Sequence, residues 1–299
     1  MATVRESKSV APAQTRHRTA GLTAYRARRF VQRAGTYLIL IALALVTIFP
    51  LLWMLSTSVK EPQDVFSGSL LPATFNVSTY QQVWVTMDFV AHFANSAFVT
   101  ALTVAIIVAV ATVAGYAFAR FSFPGRDVIF YIFLASMIIP GQVILIPMFI
   151  FLKQIGLLNS LVGLSGSYLG GGLPFAIFLL RAFFKTLPNE LADAAKIDGC
   201  SELGVFLRIF LPLARPGLAT VTIFQFVGTW NEFLFATTFI SSPELKTLQS
   251  ALYLVVGRYS TDWTLLSAAL TMAIAPVVLV YLLLQRQFVK GLTAGAIKG

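Results

Sequence analysis

Six long stretches of the chain carry almost no charge, and each is near the roughly twenty residues that the hydrocarbon core of a bilayer requires. They run at about 36–56, 93–119, 128–151, 161–184, 217–239 and 265–284. The pattern predicts six membrane-spanning helices. Pro50, Pro140, Pro147, Pro174 and Pro276, with Gly170-Gly171-Gly172, fall inside these runs and predict kinks where neighbouring protein or a water-lined cavity takes up the freed backbone groups. Between the first two runs the chain is polar and turn-rich from Val59 to Val90, with Lys60-Glu61-Pro62, Leu71-Pro72 and a short surface helix expected from Ser78 to Trp84. Asn76-Val77-Ser78 spells a glycosylation triplet there, a pattern that arises by chance and carries no weight alone.

The interval after the fourth run is different, because its polar residues are patterned. Pro188 suits the first turn of a helix with Thr186 before it as a cap, and Gly199 suits its left-handed end. Ser201 then caps a second helix with Glu202 in its first turn. Leu203, Phe206, Leu207 and Phe210 recur at helical spacing before Pro212 closes the segment. The expectation is a helix-turn-helix over 186–212 with one apolar face.

Composition agrees with a membrane protein: 57% of the 299 residues are hydrophobic, 11% are charged and the mean hydropathy is +0.80. The net charge of +10 does not mark a nucleic-acid binder, since the basic residues sit between apolar runs rather than on one polar face with aromatics. Eight of them, from Arg5 to Arg33, precede the first run. Only Lys60, Lys153, Lys246 and Arg258 of the 22 basic residues fall in the intervals of opposite side, so both termini and the 186–212 loop are expected in the cytoplasm. The first run is too long for the apolar core of a cleaved signal peptide. The organisation expected is a disordered basic tail over 1–34, a six-helix domain over 35–285 and a cytoplasmic tail over 286–299.

Catalytic chemistry finds no carrier. Cys200 stands alone, and His17 and His92 are scattered, so neither a disulfide framework nor a metal cluster is visible. No phosphate-cradling loop occurs, because Gly170-Gly171-Gly172 runs into Leu-Pro within a span. No serine nucleophile elbow or paired-histidine zinc motif occurs either. The fifth run does hold Trp230-Asn231-Glu232, and an acidic residue there is costly unless it meets protein, water or the interface. With a helix starting near Pro216, Trp230 lies about 21 Å along, in the outer third of the membrane. Two readings stand: an interfacial belt with a solvated carboxylate, or a lining of a substrate pathway. Trp230 and Glu232 are about 200° apart around a helix, so they do not share one stripe. Trp230 is expected nearer a substrate, and Glu232 paired with a donor on an adjacent helix.

The spacing of Asp193-Ala194-Ala195, Gly199, Ile209 and Leu211-Pro212 resembles the EAA loop of ABC importer permeases, the element that docks into the ATP-hydrolysing subunit. Asp193 stands where that family usually has Glu, one methylene longer. Carried onto this chain, the resemblance implies that Glu190, Asp193, Ala194, Ala195, Asp198, Gly199, Ile209 and Pro212 couple to the ATPase. Trp230-Asn231-Glu232-Phe233 and the ending from Gln287 to Gly299 are similar to the carbohydrate-uptake branch, in particular to the second, shorter permease of maltose-type transporters. Gly291, Gly295, Lys298 and Gly299 resemble a tail that contacts the ATPase dimer. The likeness, covering about 35–299, implies the type I ABC importer fold and a bacterial cell-membrane location among lipids. It further implies a second permease subunit, two ATPase subunits holding ATP and magnesium, an extracytoplasmic solute-binding protein and a sugar substrate, with no cofactor on this chain. An ion-gradient transporter, a permease for a non-sugar solute and a membrane scaffold are the alternatives.

Overall fold

The computed structural model describes residues 15–253 and 261–296, all of them helical segments and their connections. The chain divides into two compact units, 1–54 and 55–299. The first is the body of helix α1 (Thr15–Thr57), whose stretch Gln32–Thr57 is long and apolar enough to span a bilayer. α1 begins well inside the basic segment expected to be disordered. Ala24, Arg26, Ala27, Arg28 and Arg29 are strong helix formers, so the helix of the span extends backward through them; residues 1–14 lie outside the described residues.

In the second unit α2 (Ser78–Thr86) is followed by α3 (Phe89–Arg120), α4 (Arg126–Ser136), α5 (Gly141–Gln154) and α6 (Leu161–Thr186). After these come α7 (Glu190–Ile197), α8 (Glu202–Val205), a π-helical turn (Phe206–Phe210), α9 (Leu211–Leu213) and α10 (Arg215–Trp230). α11 (Leu234–Phe239), α12 (Leu248–Leu252) and α13 (Trp263–Ala296) complete it. α3 and α6 form the centre. They approach closely because Gly115 has no side chain: a Cβ there would lie 2.9 Å from Leu180 Cβ. Gly217 lets α10 onto the same layer, against the Phe183 ring. The core around them joins Ile107 and Ala111 of α3 to Ile177, Leu180 and Phe184 of α6 and to Val221 of α10.

Four of the described helices are long and apolar enough to cross a membrane, and two bent pairs raise the number to six if each is one span. The third run is such a pair, not the single helix expected, since α4 and α5 meet at 98°. Pro140 has no N–H to donate and disfavours helical backbone at Ile139, so the chain turns there. By contrast α1, α5, α6 and α13 run on through Pro50, Pro147, Pro174 and Pro276. The fifth run also divides: α10 stops at Trp230 and α11 restarts at Leu234.

The first polar interval holds the short surface helix expected there, α2, with most of its residues exposed, and anchors it on one side. Asn76 Oδ1 accepts the Ser78 N–H at 3.0 Å, turning the chain into α2. Val83 of α2 is fully buried in a cluster with Phe89, Trp230, Leu248 and Ala268. On the same end of α3, Asn95 donates to the Glu244 carbonyl at 2.7 Å and Ser96 Oγ accepts the Leu248 N–H at 2.8 Å. Among the described residues no group of three His, Cys, Asp or Glu side chains could hold a metal ion.

Candidate functional site: a helical hairpin joined to an apolar groove

The 186–212 segment is a helical hairpin with three local causes. Thr186 is the last residue of α6, its hydroxyl turned back to the Phe183 carbonyl at 2.7 Å, and not the cap of the next helix. Asn189 occupies the cap position of α7 with helical backbone angles and no side-chain cap of its own. Gly199, at φ +83°, ends α7 in the left-handed region. There the Gly199 N–H bonds the Lys196 carbonyl (3.0 Å) and the Cys200 N–H bonds the Ala195 carbonyl (2.9 Å), the paired closure typical of a glycine stop. Ser201 Oγ accepts the Gly204 N–H at 3.2 Å and starts α8. Lys196 and Glu202 bridge the turn at 2.5 Å, and the carboxylate raises the Lys196 pKa above its ordinary value of 10.5.

The π turn has a direct reason. Pro212 cannot donate, and the Leu211 N–H reaches back five residues to the Phe206 carbonyl. The apolar set of the second helix does not share one face, as expected, but divides. Phe210 is fully buried and Phe206 partly so, while Leu203 is 64% exposed and Leu207 47% exposed. In α7, Ala195 packs inward, whereas Glu190, Asp193, Ala194 and Asp198 face outward with Ile197, 86% exposed. Gly199 and Pro212 are exposed and Ile209 is half-buried. Leu191, Ile197, Leu203 and Leu207 are thus exposed apolar side chains on the hairpin, among exposed carboxylates.

Inward, the hairpin is bolted to α3 and α6. The Tyr116 ring sits 4.7 Å from Phe206, 5.5 Å from Phe210 and 5.5 Å from Phe184, centroid to centroid. Arg120, one turn on, donates through Nη2 to the Phe184 and Leu187 carbonyls, both at 2.7 Å, and through Nη1 to Asn189 Oδ1. Its guanidinium lies over the Phe210 ring at 4.3 Å. Neither Tyr116 nor Arg120 was marked by the sequence, where Arg120 is one more basic residue at a span end.

The other candidate residues gather at the break between α10 and α11. Glu232 is a capping group: Oε1 accepts the Phe235 N–H (2.8 Å), and Oε2 accepts the Ala236 N–H (3.1 Å) and the Tyr168 hydroxyl of α6 (2.5 Å). A carboxylate taking the free N–H groups of a helix start lets the chain break at membrane depth at small cost. Trp230 is not an open aromatic plane. Only 3% exposed, it stacks on Phe226 (5.7 Å, 9°), takes the edge of Phe93 (5.4 Å, 72°) and donates its indole N–H to the Ala273 carbonyl at 3.0 Å. Asn231 is exposed and donates to the Val227 carbonyl at 3.0 Å. Gly291 and Gly295 belong to α13, which continues where a separate tail was expected; Lys298 and Gly299 lie outside the described residues.

A groove of about 870 Å³ connects the two regions. Its wall follows α3 from Phe93 to Val113, with Trp230 and Phe226 towards one end and Phe206 and Leu211 of the hairpin towards the other. Pro276 and Leu279 of α13 form the opposite side. The lining is apolar apart from Thr100, Thr112 and Thr222, and the Thr100 hydroxyl is buried without a hydrogen-bond partner.

Comparison with known proteins meets this geometry. Residues 110–294 match the family model of the binding-protein-dependent transport system inner membrane component. The probable ABC transporter permease protein YurM of Bacillus subtilis is 37% identical over 264 residues, 88% of this chain and 86% of that protein. The diacetylchitobiose uptake system permease protein NgcG of Streptomyces coelicolor is 34% identical over 274 residues, 91% of this chain and 90% of that protein. A crystal structure of a bacterial ABC transporter involved in the import of the acidic polysaccharide alginate superposes with a TM-score of 0.75 at 26% identity, covering 88% of this chain and 98% of the matched one. With its helical hairpin, its broken spans and relatives of this kind along most of its length, the chain belongs to the binding-protein-dependent inner membrane components, the permeases of ABC importers.

Proposed function

We propose that this permease carries a sugar, from a monosaccharide to an oligosaccharide, across a bacterial cell membrane as one half of a two-permease pathway. The observation that carries the reading is the groove, whose wall joins Phe206 and Leu211 of the hairpin to Trp230 near the far end of α10. A displacement of the hairpin therefore reshapes the groove directly. Of two ATPase subunits holding ATP and magnesium, one would dock on this hairpin at the exposed Leu191, Ile197, Leu203 and Leu207, beside Glu190, Asp193 and Asp198. Their closure would swing the groove from one side of the membrane to the other. Support for a sugar comes from the diacetylchitobiose permease and the alginate importer. Support for a second permease comes from chemistry: three threonines on an apolar wall are too few partners for a hydroxylated solute, so a facing wall has to supply the rest. The solute would arrive from an extracytoplasmic binding protein, and both termini would lie in the cytoplasm with the hairpin, a placement supported by the bias in basic residues.

An ion-driven carrier would need an intramembrane carboxylate free to load and release a proton or cation. Glu232 is committed instead to two backbone N–H groups and the Tyr168 hydroxyl. The test is reconstitution in liposomes with the second permease, the ATPase subunits and the binding protein, using radiolabelled mono-, di- and oligosaccharides. Uptake that requires ATP hydrolysis and the binding protein is expected. Uptake driven by an ion gradient without ATP would overturn the reading.

A further inference from the structure

Arg120 is the last residue of α3, the helix whose Phe93–Val113 stretch forms the groove wall. Its guanidinium holds four things together: the Phe184 and Leu187 carbonyls at the end of α6, the Asn189 side chain at the start of α7, and the Phe210 ring in the second limb of the hairpin. Both limbs are thus tied to α3 through one planar group. A lysine could not reproduce this, because a point charge on a flexible stem neither forks between two carbonyls nor stacks on a ring. Arg120 also keeps its Nε–H buried without a hydrogen-bond partner.

We infer that Arg120 is the positioning residue that makes the hairpin and the groove wall move as one body, so that a push on the hairpin arrives at α3. This rests on the coupled-importer reading above. Remove the clamp, and the hairpin can follow the ATPase while α3 lags, so that nucleotide is hydrolysed without a matched movement of solute.

The test uses the assembled complex in liposomes with Arg120→Gln, Arg120→Lys, Asn189→Ala and Phe210→Leu, and reads solute moved per ATP hydrolysed, normalised to intact complex. A merely structural loss lowers the yield of complex but leaves that ratio unchanged. Both Arg120 variants are expected to lower the ratio about tenfold, within the usual span of coupling between sites. Asn189→Ala and Phe210→Leu, each removing one of the contacts of Arg120, should lower it less. A wild-type ratio in Arg120→Gln overturns the inference; should that variant not assemble, wild-type ratios in both Asn189→Ala and Phe210→Leu overturn it. Absence of ATP-dependent uptake in the wild-type complex would instead strike at the functional reading itself.

Discussion

Glu232 shows how one side chain settles the shape of a span. An unpaired carboxylate at that depth would be costly, but here each oxygen has donors and the charge finds the free N–H groups of α11. Glu232→Ala strips the cap and leaves the Tyr168 hydroxyl unpartnered, and hydrogen bonds to charged groups are worth about 1.5–3 kcal/mol each. The amount of assembled complex, measured by co-purification from membranes, should fall severalfold. Tyr168→Phe removes one bond of the set and should cost far less. An equal loss in both variants would show that the hydroxyl, not the helix cap, is the important partner. The acid was visible in the sequence as an anomaly within an apolar run, but Tyr168 was not, because it lies 64 residues away and nothing local marks it. The same limit hid part of the packing of Trp230: Phe226 lies one helical turn before it, but Phe93 and the Ala273 carbonyl come from distant helices.

At the level of elements, legibility followed local chemistry. The hairpin could be read because a glycine stop and a serine cap act within a few residues of themselves. The elbow between α4 and α5 could not, since an unbroken apolar run has no period to interrupt and Pro140 looks no different from the prolines that α5 and α6 accommodate. Gly199 supplies a sharp test of the hairpin. Its surroundings are open, with nothing within 4 Å of an added Cβ, so any penalty of substitution comes from the backbone at φ +83° and not from a clash. A non-glycine residue in that region costs about 1–2 kcal/mol, while Asn visits it readily. Gly199→Val should therefore abolish uptake in cells that still place the protein in the membrane, and Gly199→Asn should retain most of it. Loss in both variants would mean that the glycine surface itself is touched by a partner.

For the whole molecule, what matters is that the hairpin, α3 and the groove share residues rather than merely lying near one another. Tyr116 and Arg120 stand at one end of α3, while Phe93, against Trp230, stands near the other. The helical membrane class followed from hydropathy alone, but this shared wall depends on contacts between α3, α10 and α13 that no single segment encodes. The indole of Trp230, held between Phe226 and the Ala273 carbonyl, turns that wall into a built-in optical gauge. In a chain where Trp53, Trp84 and Trp263 are replaced by Phe, its emission should be blue while α10 and α13 stay together. It should move to the red when nucleotide and binding protein drive them apart and water reaches the ring. A spectrum unmoved through the transport cycle would mean that α10 and α13 travel as a single rigid block, and that the groove opens entirely along α3.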